Sequence, residues 1–226
     1  MEISPIAHIH TDFPEKFGVP RQSGLAKKLK GKIVFEKEFR NPGALRGLEG
    51  FSHIWLIWEF SQNKRSNGEW SATVRPPRLG GNTHVGVFAT RSPFRPNQLG
   101  LSCVELASIE LDTSDGPVIN VTGADLVDGT PIYDIKPYIK YADSRPHALC
   151  GYVDELDERK LKVVIPHEIS SKVQQKSVLE ALVQTLSLDP RPSYHDDPDR
   201  EYGLFFAGMN VRFKVYLTVL TVVAID

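Results

Sequence analysis

The sequence contains little of what marks secreted, membrane-spanning or metal-binding proteins. Its two cysteines, Cys103 and Cys150, are too few for a disulfide framework or a zinc site. The longest apolar run, 215–225, is about half the roughly 20 residues that a membrane-spanning helix needs. The first residues lack the charged, apolar and small-residue order of a signal peptide. We therefore expect a cytoplasmic protein with no membrane partner and no metal.

Motifs of the common catalytic and nucleotide-binding folds are absent as well. The chain has no GxGxxG, Walker, HExxH, GxSxG or CxxC pattern, and its seven histidines do not show metal-ligand spacing. His53 lies in a hydrophobic stretch, where a hydrogen-bonded structural role is favoured over metal binding. These absences argue against a doubly wound nucleotide-binding sheet and against metal catalysis.

The charge is nearly balanced overall but unevenly distributed. Residues 1–97 carry 15 Lys and Arg against 8 Asp and Glu, whereas residues 98–226 carry 12 against 20. A basic N-terminal part on a near-neutral chain is compatible with a polyanionic partner held on one face. The charge pattern alone does not identify that partner as nucleic acid.

Short strand-like segments separated by Gly and Pro turns dominate the first 140 residues. The segment 50–60 is apolar on both faces, which predicts a centrally placed strand. No helical pattern interrupts these segments, so they predict a mainly β protein, either an antiparallel sandwich or a barrel. The remaining predicted strands cover 3–13, 31–40, 101–111, 117–129 and 128–141.

The C-terminal part differs in character and predicts a small α+β unit. A short strand is expected at 161–166, followed by a helix over 170–189 with Ser170 or Ser171 as its cap. Two strands about a turn at 208–210 complete it, the second one continuing through the alternating apolar residues beyond 211. We expect two domains, a β domain over residues 1–148 and an α+β domain over residues 149–226.

The segment 86–101 is the best candidate for a functional loop. Pro93 and Pro96 restrict the backbone beside Arg91 and Arg95, so the arginines are held on a stiff loop. A guanidinium is a planar fork of donors that suits carboxylate or phosphate. This pattern favours a preorganised anion site, the alternative being a surface turn with salt-bridged arginines.

A second motif begins at the Asp128-Gly129 turn. Pro131 restricts the exit of that turn, and Asp134, Lys136 and Tyr138 then alternate along one side of the predicted strand.

These two segments, GVFATRSPFRPNQLGLS at 86–102 and LVDGTPIYDIKPY at 126–138, closely resemble the TsaA-like family. Its characterised members include enzymes that methylate N6 of threonylcarbamoyladenosine in the tRNA anticodon loop. The resemblance covers nearly the whole chain, because it extends through FSHIWLIWEF, VRPPRLGG, DPRPSY and EYGLFFAGMNVRF. It implies a single-sheeted antiparallel β-barrel that binds S-adenosylmethionine, acts on tRNA and forms a homodimer.

Carried over position by position, the resemblance also implies which residues bind. Many relatives carry a histidine where this chain has Ser61, a departure from the family pattern. Arg95, Lys136 and Tyr138 are candidate substrate contacts, and we hypothesise that the guanidinium of Arg95 binds the threonyl carboxylate. The implied cofactor contacts are Pro20, Arg21, Gln22, Ser61, Gln62, Arg91, Leu101, Asp128, Gly129, Thr130 and Pro131.

The resemblance does not identify a catalytic base, for which Asp128, Asp134 and Tyr138 are candidates. Basic residues near the loops or on the C-terminal unit are candidates for phosphate contacts, namely Lys64, Arg65, Arg75, Arg78, Arg191, Arg212 and Lys214. Two alternatives stay open at this point: a binding module that senses S-adenosylmethionine or a nucleotide without catalysis, and a methyltransferase for a small-molecule acceptor.

Overall fold

A computed structural model describes residues 2–63, 70–156, 160–192 and 197–226. The described residues form twelve strands, three α-helices and six short 3-10 helices. The strands are β1 Ala7–Thr11, β2 Lys30–Phe35, β3 His53–Glu59, β4 Thr73–Val74, β5 Val85–Gly86, β6 Leu99–Glu110, β7 Val118–Thr122, β8 Thr130–Pro137, β9 Lys162–Val164, β10 Tyr202–Phe206, β11 Met209–Tyr216 and β12 Val219–Ile225. The α-helices are α1 Lys140–Asp143, α2 His167–Ser170 and α3 Lys176–Ser187, and the 3-10 helices are Lys37–Phe39, Pro42–Leu45, Leu48–Gly50, Pro77–Leu79, Val87–Ala89 and Gly151–Glu155.

Six strands form one closed antiparallel barrel in the order β1-β2-β7-β6-β3-β8, and β8 pairs back onto β1. Alternate side chains of β3, namely Ile54, Leu56 and Trp58, are buried in the barrel core. Because β3 pairs with both β6 and β8, the central position predicted for segment 50–60 is confirmed. The barrel expected from the sequence is confirmed as well, and His53 lies exposed beside Ser52.

The C-terminal unit is a four-stranded sheet in the order β10-β11-β12-β9, with α3 packed over it. Its core contains Leu182 and Leu186 of α3 and Phe206 of β10. Phe13, Ala26 and Leu29, which come from the segment between β1 and β2, are buried in this same core. Residues 13–29 therefore pack with the C-terminal unit, although they precede most of the barrel in the chain.

Two details of the C-terminal prediction are wrong. The helix predicted over 170–189 begins only at Lys176, and Ser170 instead ends the preceding helix α2, where its hydroxyl donates to the carbonyl of His167. The residue that precedes α3 is Gln175, whose side chain makes no capping hydrogen bond. The predicted second strand is also broken, because Leu217 adopts a left-handed φ of 52° in the turn between β11 and β12.

Between β3 and β6 the chain forms a small hairpin, β4 and β5, that the sequence pattern does not predict. Its strands lead into the loop that carries Arg91 and Arg95. No helix in the described part of the chain is long and apolar enough to cross a lipid bilayer. The same residues contain no cluster of three or more metal-ligating side chains.

Candidate functional site

A cavity of about 510 Å³ opens where β3 ends and β6 begins. These two strand ends meet because β3 and β6 are antiparallel neighbours, with Glu59 opposite Leu99. Three loops complete the wall: the 13–29 segment, the arginine loop after β5 and the chain between β7 and β8. The lining residues are Lys16, Val19, Pro20, Arg21, Gln22, Trp55, Trp58, Glu59, Phe60, Ser61, Gln62, Asn63, Arg91, Pro93, Arg95, Leu99, Gly100, Leu101, Asp125, Leu126, Val127 and Thr130.

The indole of Trp58 forms part of the cavity wall and is fixed on three sides. Its Nε1 donates to Ser102 Oγ at 2.9 Å, and its ring packs edge-on against Phe60 with centroids 4.4 Å apart. A Cβ on Gly100 would lie 2.3 Å from the indole, so only glycine leaves room for the ring. The wall at this point is apolar and rigid.

Arg91 links two of the loops. Its guanidinium donates to the side-chain oxygen of Gln22, which lies on the 13–29 segment. Arg21 lines the same region, and partial burial, with a smaller contribution from the neighbouring Arg78, lowers the pKa of its guanidinium. Arginine stays protonated in proteins, so these two residues give the cavity a positive side.

Arg95 also lines the cavity, but its guanidinium is engaged within its own loop. It donates to the carbonyl oxygens of Ser92 at 3.0 Å and Thr90 at 2.6 Å, and more weakly to that of Val87 at 3.4 Å. These bonds stiffen the loop that presents Arg91. The role of Arg95 as a ligand of a substrate carboxylate stays a prediction.

The negative side of the cavity consists of two carboxylates. Asp125 accepts a hydrogen bond of 2.6 Å from Ser102 Oγ, and burial raises the pKa of its carboxyl, opposed by that bond and by Arg91. Glu59 accepts a hydrogen bond of 2.6 Å from the hydroxyl of Tyr133, and this bond raises the pKa of Tyr133 to about 12. Tyr133 is therefore a neutral donor at physiological pH.

The structure brings most of the predicted cofactor residues to this cavity. Gln62 donates to the carbonyl of Pro14 at 3.3 Å, which ties the chain after β3 to the 13–29 segment. Leu101 is 54% exposed and faces the cavity. The predicted residues that line the cavity are Pro20, Arg21, Gln22, Ser61, Gln62, Arg91, Leu101 and Thr130.

Three predicted cofactor residues of the Asp-Gly-Thr-Pro turn lie outside the cavity lining. Asp128 accepts from the backbone N–H of Thr11 at 3.0 Å and lies 3.2 Å from a ring nitrogen of His10. Gly129 donates to a carbonyl of β1, and Pro131 is buried opposite β1. In this structure the turn joins β1 to β8, while a cofactor role for these three residues stays a prediction.

The other predicted substrate residues and base candidates lie further along β8 or, for Tyr138, directly after it. Lys136 forms an ion pair of 3.0 Å with Asp134. Tyr138 packs against the rings of His53 and Trp55, with centroids 6.1 and 6.0 Å away. Of these, only Trp55 lines the cavity, so contact of Lys136, Asp134 or Tyr138 with a ligand there is not observed.

The predicted phosphate contacts are dispersed. Arg75 donates to a ring nitrogen of His84 at 2.9 Å, and Arg191 pairs with Asp189 at 2.8 Å. Arg212 forms ion pairs with two carboxylates, Glu201 and Asp226. The charge of Arg78 lowers the pKa of the Arg21 guanidinium, and Lys214 lies on β11. Lys64 and Arg65 lie outside the described residues.

Sequence reasoning did not find Asp125, Glu59 or Trp58 as cavity residues. Asp125 follows β7 within a stretch of apolar neighbours and belongs to no recognised motif. A signal was available, because an acidic residue inside an apolar segment needs a buried partner. That partner, Ser102, is 23 residues away, and the distance in sequence hides the pairing.

The closed antiparallel barrel with a cavity lined by apolar and charged side chains at one end places the chain among β-barrel proteins, distinct from doubly wound sheets. The family model of the tRNA-methyltransferase O N-terminal domain matches residues 8–144, and that of the TrmO C-terminal domain matches residues 158–226. The chain therefore belongs to the tRNA-methyltransferase O (TrmO) family, which confirms the resemblance seen in the sequence.

Individual relatives agree with this assignment over almost the full length. The tRNA (adenine(37)-N6)-methyltransferase of Escherichia coli is 38% identical over 221 residues, 95% of this chain and 93% of the relative. A protein of Pseudomonas aeruginosa described as an S-adenosylmethionine-dependent methyltransferase is 39% identical over 93% of this chain and 91% of its own length. A crystal structure of TrmO from P. aeruginosa superposes with a TM-score of 0.80 at 33% identity, covering 100% of this chain and 96% of that one.

Proposed function

We propose that this protein is an S-adenosylmethionine-dependent methyltransferase that methylates N6 of threonylcarbamoyladenosine in the anticodon loop of tRNA, in the cytoplasm. The observation that carries the proposal is the cavity at the barrel end, where eight residues that the family resemblance assigns to the cofactor come together. The names of the relatives support the cofactor and the adenine N6 position. The threonylcarbamoyl group rests on the resemblance alone.

The residues of the cavity fit this cofactor. Its volume of about 510 Å³ lies within the range of small-molecule sites. Arg91 and Arg21 suit the carboxylate of the methionine part, whereas Glu59 and Gln22 suit hydroxyl or ammonium groups. Trp58 and Leu101 offer apolar surface to the rest of the cofactor.

When bound, S-adenosylmethionine supplies an electrophilic methyl group on a sulfonium cation. Charge disperses as that methyl is transferred, so an apolar wall such as that of Trp58, which excludes water, favours transfer. The carbamoyl group makes N6 less nucleophilic and its proton more acidic. Positioning by the arginine loop and removal of the N6 proton are therefore the contributions that the chain must make.

The experiment that tests the function uses labelled S-adenosylmethionine and two tRNA pools, from cells with and without threonylcarbamoyl modification. We expect methyl transfer only to the modified pool. Equal transfer to both pools would contradict the threonylcarbamoyl requirement. Cofactor binding with no transfer to either pool would favour a sensing module, or a small-molecule methyltransferase if a metabolite extract is labelled instead.

Replacing Arg91 with alanine should weaken cofactor binding about 10- to 100-fold, because a charge-assisted hydrogen bond in a cavity is lost. The dissociation constant of S-adenosylmethionine, measured by calorimetry, checks this. Arg46→Ala is the matched control, since Arg46 is exposed and lines a different groove. Equal affinity of the two variants would remove Arg91 from the cofactor site.

A homodimer is part of the proposal, and exposed aromatic side chains support it. Phe88 is 75% exposed and stacks with Trp70, with ring centroids 6.0 Å apart. Phe94 is exposed beside them, since its carbonyl accepts from the backbone of Ser71. An apolar surface of this kind on a loop region favours burial against another chain.

Phe88→Ala should therefore shift the monomer–dimer equilibrium towards monomer by at least about tenfold, as for an interface aromatic. Sedimentation equilibrium at several protein concentrations measures the shift. Tyr216→Ala, which removes an exposed aromatic ring from the C-terminal hairpin, is the control. A wild-type protein that stays monomeric, or two variants with the same equilibrium constant, would contradict this interface.

We further propose that the domains divide as 1–148 and 149–226, with residues 13–29 contributed by the first to the core of the second.

A further inference from the structure

A chain of hydrogen bonds connects the barrel core to a carboxylate in the cavity wall. Trp58 Nε1 donates to Ser102 Oγ at 2.9 Å, and the Ser102 hydroxyl in turn donates to Asp125 Oδ1 at 2.6 Å. Trp58 and Ser102 lie on β3 and β6, which are directly paired. Because Ser102 and the indole are buried, the orientation of the Asp125 carboxylate is set by rigid elements.

Asp125 faces the cavity together with the groups assigned to the cofactor. The backbone of Ser23, which directly follows the Pro20–Gln22 stretch, is close enough to lower the pKa of the Asp125 carboxyl. Arg91 is close enough to act on it electrostatically. Among the described lining residues, the carboxylates are Asp125 and Glu59.

The two carboxylates differ in their surroundings. Glu59 ends β3 and accepts a hydrogen bond from the hydroxyl of Tyr133, a bond that raises the pKa of Tyr133 to about 12. For Asp125, burial raises the pKa of the carboxyl above its ordinary value. A carboxylate that is short of water is a stronger base than a solvated one.

From this geometry we propose that Asp125 is the general base of the methyl transfer, a role that rests on the proposed function. Its carboxylate accepts the proton of N6 while the nitrogen electron pair forms the new N–C bond. The bond between the methyl carbon and sulfur breaks, and its electron pair stays on sulfur as a neutral thioether. The products are the N6-methylated base, the thioether and a protonated Asp125, which returns its proton to water.

In many active sites a hydrogen bond from a second residue orients the side chain that acts as the base. Ser102 is the positioning residue in this description, since it touches Asp125 and not the reacting atoms. The described charged groups that face the cavity with Asp125 are Lys16, Arg21, Glu59, Arg91 and Arg95. Of these, Arg91 acts on the pKa of Asp125 and favours its ionised form.

Asp125→Asn keeps the size of the side chain and removes its basicity. In single-turnover reactions with saturating S-adenosylmethionine and modified tRNA, we expect the methyl-transfer rate constant to fall about 10²- to 10⁴-fold. The dissociation constant of the cofactor should stay within about threefold of the wild-type value, which also shows that the variant is folded. Asp115→Asn, in the β6–β7 turn and paired with Lys32, is the matched control and should keep the wild-type rate.

Ser102→Ala supplies a second, independent readout. The serine hydroxyl stabilises the ionised carboxylate, so its loss raises the pKa of Asp125 further. A base acts only when it is deprotonated, and the acidic limb of the pH–rate profile should therefore move to higher pH. The plateau at high pH should stay near the wild-type value, because Asp125 itself is retained.

The outcomes separate the base assignment from the proposed function. A wild-type protein that transfers no methyl group to any tRNA overturns the function, and the base assignment with it. If the wild type is active, three outcomes overturn the base assignment alone. The first is a methyl-transfer rate of Asp125→Asn within threefold of the wild type, and the second is a loss of cofactor affinity in that variant as large as its loss of rate. The third outcome is an acidic limb of the pH–rate profile that does not move in Ser102→Ala. A larger loss of rate in Glu59→Gln than in Asp125→Asn would move the role to Glu59.

Discussion

Gly100→Ala is expected to lower the free energy of unfolding by about 2 kcal/mol and to weaken cofactor binding. The added Cβ would meet three atoms of the Trp58 indole at 2.3, 2.4 and 2.7 Å. The indole cannot move away freely, because it is bonded to Ser102 and packed against Phe60. Any displacement therefore disturbs both the cavity wall and the hydrogen bond that reaches Asp125.

Thermal unfolding of Gly100→Ala should show a decrease of about 4–8 °C, given that scale of destabilisation. Gly203→Ala is the matched control, because Gly203 also lies in a strand but its Cβ would meet nothing closer than 3.6 Å. That variant should unfold at or slightly above the wild-type temperature, since alanine costs less backbone entropy. Similar melting temperatures for the two variants would show that Trp58 is not confined as described.

Gly18→Ala is expected to cost about 3 kcal/mol of stability and to reduce cofactor affinity as well. Gly18 has a left-handed φ of 89°, and a Cβ there would lie 2.2 Å from Leu204 Cδ1. Leu204 is fully buried in the C-terminal core, so the methyl group cannot be accommodated by a small rotation. The 13–29 segment would have to lift from that core and would carry Pro20–Gln22 with it.

Gly24→Ala separates the effect of backbone strain from that of the contact. Gly24 has a similar φ of 78°, but nothing lies within 4 Å of a Cβ built on it. The free energy of unfolding of Gly24→Ala should fall by about 1 kcal/mol, because only the backbone conformation is strained. Urea unfolding measured beside calorimetric titration tests both variants, and equal losses would mean that the contact with Leu204 contributes nothing.

The strands of the barrel were predictable because each has a recognisable pattern within its own few residues. The continuous apolar run of β3, the alternation along β8 and the turn residues between strands are properties of adjacent positions, and they predict β structure without knowledge of partners. The break at Leu217 was not predictable from that pattern. Leu217 continues the apolar alternation of β11, yet the chain turns there and leaves its side chain 76% exposed.

The candidate site was predictable only in part, for the same reason. The arginine loop stood out through its own prolines and arginines, whereas the assignment of Pro20–Gln22 to a cofactor came from family resemblance, which carries three-dimensional information that periodicity does not. Asp125 was missed because its significance depends on Ser102 and Arg91, which approach it only after the barrel closes. The engagement of Arg95 with the carbonyls of Thr90 and Ser92 is likewise a property of the folded loop.

The burial of Phe13, Ala26 and Leu29 beneath the last strands has a consequence for synthesis. A ribosome makes residues 13–29 long before Leu204 and Phe206, so the early segment lacks these packing partners until the C-terminal sheet has been made. In a polypeptide that ends before the C-terminal sheet, the 13–29 segment would form one wall of the cavity without the core it packs against. We therefore expect ligand binding to require the C-terminal sheet as well as the barrel.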